Sequence, residues 1–318
     1  MTVSSFKTGY DGVNFLAGNT AYVPPAPRAV FAGGANGSGV LTKIQYVETT
    51  TTGNATNFGD MVVGRVGGRQ GGASSTRGIF SGGNKTSNVK ADEIDYITIA
   101  TTGNATDFGN LTVARAIVSS LSNDTRGVSV GGQDDSANNV IDYVTIATTG
   151  NATDFGDVTG TRATHGTCAS PTRGIYFAGQ DNNSNRLSSI EYITIASTGN
   201  GTNFGNITST TTYIAGCSNN TRGLSAGGYS GSASNVIEYI TIATTGNATD
   251  FGDLTVARVQ ASGAASTTRG LFAAGGGYND TIDYVTIATT GNAIDFGDLH
   301  AAFEQPGSIC NAHGGIAA

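Results

Sequence analysis

Arginine, carboxylates and tyrosine recur along this chain at a nearly fixed step, so any chemistry they perform is performed six times. Arg28, Arg77, Arg126, Arg173, Arg222 and Arg269 each open a short apolar run, followed by Gly in five cases and by Ala the first time. About eighteen residues on stands Tyr46, Tyr96, Tyr143, Tyr192, Tyr239 or Tyr284, preceded by Gln45, Asp95, Asp142, Glu191, Glu238 or Asp283. Six cations on one rim are suited to an anionic glycan or a phosphate. The competing reading is structural: each Arg ties its strand to carbonyls, or to repeat acids such as Asp95, Asp142, Glu191, Glu238 and Asp283, or Asp60, Asp157, Asp253 and Asp298. A residue fixed in every repeat is best explained by what every repeat needs, so Arg77, Arg126, Arg173, Arg222 and Arg269 read as structural. Any buried version should be bidentate, to offset desolvation.

Other chemistry is sparse. His165, His300 and His313 fall at three different repeat positions without metal-ligand spacing, and His313 reads as standing in place of a repeat Arg. No serine elbow, carboxylate pair or cysteine–histidine arrangement stands out, so the chain reads as a non-enzyme with no cofactor and no metal. Asp134-Asp135 and Asp181-Asn182-Asn183 are suited to Ca²⁺, but exposed acidic loops without an ion are commoner. Asn-Ala-Thr at Asn54, Asn104, Asn151 and Asn247 matches a glycosylation sequon, yet Gly-Asn is also a turn former. Cys168 and Cys217 share one repeat position and read as small buried residues, not as a disulfide.

The elements that must hold these residues come from the longest shared phrase, T-T-G-N-A-T-D-F-G-D, whose Gly is Gly53, Gly103, Gly150, Gly199, Gly246 or Gly291 at intervals of 50, 47, 49, 47 and 45 residues. Each repeat reads as four short strands. In residues 221–269 these are a diglycine-ended run at Leu224–Gly228, an alternating run at Val236–Ala243, a run anchored by Phe251, and a small-residue stretch before Arg269. A 45–50-residue period of strands predicts an all-β, six-bladed propeller with four-stranded blades. A parallel β-helix is the structural rival, although its repeats are shorter. The first repeat begins at the second strand, and Gly307–Asn311 resembles the missing first strand, so N- and C-terminal strands are expected to pair and close the ring. The propeller spans 28–318, with repeats near 28–76, 77–125, 126–172, 173–221, 222–268 and 269–318.

Composition narrows the partners. Of 318 residues 48 are Gly and only 12% are charged, so Thr, Ser, Asn and Gly must cover much of the surface. A net charge of −7 with evenly spaced arginines argues against nucleic acid. No signal peptide and no long apolar run is read, so neither export nor membrane insertion is expected.

The repeats differ most between the diglycine and the tyrosine, in loops expected on one face of the disc. Asp135, Asp181, Arg186, Tyr229 and Tyr278 are the loop side chains best suited to bind a sugar or a protein. Neutral loop drift is the alternative. Residues 1–27 lie outside the repeat. With Phe6, Tyr10, Phe15, Leu16 and Tyr22 ahead of Pro24-Pro25-Ala26-Pro27, they read as an arm that docks on other subunits or lies across its own propeller.

The diglycine after an apolar strand, followed by a spaced Tyr, resembles the kelch repeat. Kelch blades carry a Trp later in the repeat; this chain has none, and Phe stands nearest that place. The string T-R-G-x-F-x-G-G … I-D-Y-V-T-I-A-T-T-G-N-A-T-D-F-G-D-L is more similar to kelch-like repeats in virion proteins of marine bacteriophages, cyanophages among them, over residues 28–310. The resemblance implies a virion protein made in the host cytoplasm, present in several copies on a symmetric assembly. It would act as a tail fibre or receptor-binding appendage touching a host glycan or protein. A capsid decoration or tail-assembly part is the alternative, and a carbohydrate-active enzyme a remoter one.

Overall fold

The computed structural model describes residues 26–316. The expected docking-arm residues Phe6, Tyr10, Phe15, Leu16 and Tyr22 therefore lie outside the described residues. Six four-stranded antiparallel sheets are arranged as blades, and their innermost strands neighbour one another around a closed ring. Blade 1 orders Gly307–Cys310, Arg28–Ala32, Lys43–Glu48 and Thr56–Asp60 from axis to rim. The C-terminal strand pairs with the N-terminal one in antiparallel register, Ala29 opposite Cys310 and Ala32 opposite Gly307. The ring thus closes as the sequence predicts, and no blade is left with an open inner edge.

The innermost strands of blades 2 to 6 are Gly72–Ala73, Ser119–Ser122, Gly166–Ala169, Ala215–Ser218 and Ser262–Ala265. A sequence repeat supplies three strands to one blade and the innermost strand to the next. Among the described residues the only helical element is one 3₁₀ turn, Thr86–Asn88, and no helix is long and apolar enough to span a membrane.

The repeated phrase is mostly a fastening between blades. Phe of T-D-F-G-D is buried and meets its blade's Tyr edge-on, with ring centroids 5.7–6.1 Å apart. The following Gly lies against the backbone carbonyl of the next repeat's T-T-G glycine, where a Cβ would collide. The outermost strand would otherwise be an open edge. Instead Gly103 and Ala105 donate backbone N–H to the Phe58 and Asp60 carbonyls, and Asn104 Oδ1 accepts the Asp60 N–H. The same clasp recurs in every blade, ending with Asn54 on Asp298. These asparagines serve the clasp through their side-chain oxygens.

The Arg-Gly pair has a steric cause. A Cβ on Gly78, Gly127 or Gly174 would fall on Ile309, Ile79 or Leu121, and on Gly223 it would lie 2.6 Å from Cys168 Sγ. Gly270 meets Cys217 Sγ in the same way, at 3.0 Å. Blade 1 carries Ala29 instead of Gly, and its core is shared with the small Ala264. A methyl is gained on one side where bulk is missing on the other. Cys168, Cys217 and Cys310 are all buried and free; burial pushes the Cys310 thiol up to about 12.

Candidate functional site

The repeat arginines lie at the edge of the face formed by the T-T-G-N turns. Each guanidinium stacks on the Tyr of its own blade, 4.4–4.7 Å from ring centre. Each also donates to a carbonyl of the next blade. Arg77 reaches Ile146 O at 2.9 Å, Arg126 Ile195 O at 3.0 Å, Arg173 Ile242 O at 3.0 Å and Arg222 Ile287 O at 3.0 Å. Arg28 reaches Ile99 and Arg269 reaches Thr49, completing the circuit. None of the six forms an ion pair with a repeat acid. His313 does not stand in place of one of them: that blade's arginine is Arg28, on the strand paired with the C-terminal one.

The acids belong to a second arginine series that the sequence reading missed. Arg65, Arg115, Arg162 and Arg258, in four of the six connectors to the next innermost strand, pair with Asp95, Asp142, Glu191 and Asp283 of the following blade. The first three pairs measure 2.9, 2.8 and 2.7 Å, and side chains in all four are at most 3% exposed. A register shift just before each acid turns it into the blade interface. Burial holds the Asp95 carboxyl above the usual range in spite of Arg65. At Glu191 burial pulls the same way, but Arg162, Thr159 and the Tyr176 hydroxyl outweigh it and leave the carboxyl below its usual range. The signal was present: each of these arginines precedes a repeat arginine by eleven or twelve residues. Each partner, however, lies in the next repeat.

The opposite face carries the variable loops and the connectors, bridged to each other at Val66–Asn84, Ala116–Gln133, Ala163–Gln180, Thr212–Tyr229 and Ala35–Glu304. Of the expected binding residues, Arg186 and Tyr229 come together, the guanidinium 5.6 Å from ring centre across blades 4 and 5. Tyr278 is exposed beside Gly37 in the next blade's loop. Asp135 stands exposed on blade 3 and joins neither pair. Asp181 is engaged locally: its carboxylate accepts from Asn183 N, Asn185 N and Asn185 Nδ2, and the Asn185 contact holds it below the usual carboxylate range. It also lines a cleft with Thr159, Thr161, Arg162 and Glu191. No group of three or more His, Cys, Asp or Glu side chains converges among the described residues.

At the axis, this face ends in a ring of left-handed backbone. Gly67 (φ 77°), Ile117 (55°), Thr164 (60°), Tyr213 (57°), Gln260 (61°) and Gln305 (53°) occupy one equivalent position in the six connectors. The turn into the innermost strand demands this geometry, yet five of six residues are not Gly. Each strained non-Gly residue costs on the order of 1–2 kcal/mol. Just below the ring, the connector into blade 2 is one residue longer than the others, at Gly67-Gly68, and sends Arg69 and Gln70 across the channel. Arg69 Nη2 donates to Ile214 O and Ala261 O, both at 3.1 Å, and burial pulls its guanidinium down to about 10. Gln70 Nε2 donates to Thr167 O at 2.8 Å and its Oε1 accepts the Thr167 N–H at 2.6 Å. At the other end, His313 hydrogen-bonds Ser122 Oγ and the Ala73 carbonyl. Between the two lies a cavity of about 40 Å³, room for roughly one to three waters. The axis is plugged.

No protein-family model matches the chain, and no curated protein matches it.

Proposed function

We propose that this protein is a non-enzymatic binding scaffold. Its kelch-like framework is uniform, and its diversity is concentrated on one face, in the six loops and the ring at the channel mouth. That confinement of variation is the observation that carries the reading, because loops on a rigid scaffold are where recognition is built. The resemblance of the repeat string to marine bacteriophage virion proteins extends it to a tail fibre or receptor-binding appendage. Its mechanism is the sum of many weak loop contacts with a bacterial surface over several copies. Arg186 stacked with Tyr229, and the exposed Tyr278, are the side chains offered to a surface glycan or protein.

A second reading is favoured by Val62, Val63, Val113 and Val256, which are 38–52% exposed on the connectors of the same face. In this reading the face is covered by another virion subunit in an assembly or decoration role. A cryo-EM map of particles carrying the chain separates the two. Loops facing outward, with cell binding by the purified protein reduced in Tyr229→Ala and Tyr278→Ala, support the appendage. A disc clamped between subunits with its loops covered refutes it in favour of the assembly role.

A further inference from the structure

The four buried arginine–carboxylate pairs reveal a cation cradle that the fold builds at the blade interfaces. The guanidinium meets a carboxylate and backbone carbonyls at fixed repeat positions. Arg65 donates to Glu93 O and Phe80 O, Arg115 to Ser129 O, Arg162 to Ser189 O and Ala178 O, and Arg258 to Thr281 O and Ala274 O. A residue of the connector also holds the carboxylate: Thr112, Thr159 and Thr255 donate to Asp142, Glu191 and Asp283 through both N–H and hydroxyl.

Two interfaces depart from this. Between blades 6 and 1 both charges are gone, with Phe303 in the arginine position and Gln45 in the acid position. Between blades 4 and 5 only the cation is gone. Thr211 stands where the arginine would be, and Glu238 keeps its carboxylate, 5% exposed. Among the described residues Glu238 has no ion pair, and its one hydrogen bond is from Thr208 N to Oε1, at 2.9 Å.

A second observation lies beside it. Ser225 is the cross-strand partner of Glu238 and is 1% exposed, yet its hydroxyl has no hydrogen-bond partner. The equivalent side chain in blade 4 is Tyr176, whose hydroxyl reaches the acid there at 2.9 Å. This position lies beside the carboxylate on the same face of the sheet. The equivalent Ser129 of blade 3 is met by Ser120 Oγ at 3.0 Å, but blade 5 has Gly216 there, which leaves the Ser225 hydroxyl free. The carbonyls of Ser225, Gly227 and Val236 hold the repeat positions that face the guanidinium elsewhere. A lone buried carboxylate is costly unless it is paired.

We propose that Glu238, Ser225 and these carbonyls bind a monovalent metal cation, Na⁺ or K⁺, in the place a guanidinium takes at the other interfaces. The donors are all oxygen, which selects a hard cation. One carboxylate balances one positive charge, which favours a monovalent ion over a divalent one. At the equivalent interface between blades 3 and 4 a cleft on the loop face reaches Arg162 and Glu191, and the ion would enter at Glu238 by the same route.

The test is thermal unfolding of the whole protein at constant ionic strength in NaCl, KCl or choline chloride. A cation at ten times its dissociation constant shifts the folding equilibrium about elevenfold, or roughly 2–4 °C in Tm. Wild type is expected to gain that shift in NaCl or KCl over choline, and the stronger of the two names the ion. Glu238→Gln should lose the response. Thr211→Arg should be more stable in choline than wild type and indifferent to the cation. Equal wild-type melting in all three salts overturns the proposal. A response that survives in Thr211→Arg overturns it as well, by placing the ion elsewhere.

Discussion

Consider transplanting the blade 6–blade 1 solution into the interface between blades 2 and 3. There Arg115 and Asp142 are both 0% exposed and 2.8 Å apart. Arg115→Phe alone leaves the Asp142 carboxylate buried with only the Thr112 hydroxyl at 2.5 Å and the Thr112 N–H at 3.3 Å. Losing one partner of such a pair costs about 3–5 kcal/mol. Asp142→Gln alone strands the guanidinium with the Ser129 carbonyl at 3.3 Å, and a similar cost of about 3–5 kcal/mol applies. Added together, the singles would remove roughly 6–10 kcal/mol, much of the 5–15 kcal/mol stability of an ordinary domain. The double variant should do far better, because the protein already folds with Phe303 fully buried and Gln45 accepting the His300 N–H at 2.5 Å. Replacing a buried ion pair by well-packed neutral groups is often nearly neutral, so a loss of about 1–2 kcal/mol is expected. The double-mutant cycle, read by urea denaturation with slopes checked for equality, should give a coupling of about 4 kcal/mol or more. A coupling below about 1 kcal/mol would refute the view that these charges are held chiefly by each other.

Two further outcomes follow from the packing and the histidines. Gly78→Ala should be strongly destabilised by the Ile309 side chain, and adding Ile309→Ala should recover much of the loss by recreating the Ala29–Ala264 pairing; melting curves of both variants check this. Burial, reinforced by Arg162, Arg69 and Arg115, holds the His165 imidazole well below its usual pKa, so it is neutral in the folded protein. Its contribution to stability is full above the unfolded value near 6.5 and is lost as pH falls from there toward the folded value, at about 1.4 kcal/mol per pH unit. A His165→Phe variant should show that much less slope between pH 6 and 5 in chemical denaturation, and an unchanged slope would sink the assignment.

Much of this architecture is legible from the residues because it is written six times. The diglycine, the Tyr–Phe spacing and the orphan strand at Gly307–Cys310 each point to blades and to their closure. The candidate face and the pairs beneath it are less legible for identifiable reasons. The Arg115–Asp142 type of pair joins neighbouring repeats, so a reading within one repeat assigns the acids to the wrong arginines. A single extra residue at Gly67-Gly68 turns one connector into the channel plug, and nothing local to Arg69 or Gln70 announces it. Left-handed backbone at Ile117 and Thr164 runs against the preference of β-branched residues, so only the three-dimensional equivalence of the six connectors exposes the ring.

The closure of blade 1 also sets how the molecule would respond to force. Arg28 and Cys310 lie at the same end of an antiparallel pair, with Ala29 against Cys310 as the first rung. A pull that separates the two ends first loads the contacts of His313 with Ser122 and Ala73 and of the Gly314 N–H with the Ser218 carbonyl, then that rung, then Val30 against Ile309 and Phe31 against Ser308, one after another. The seam would unzip rung by rung only after those anchors are lost. A load entering through only one end and leaving through the loop face would instead be shared by the inter-blade clasps.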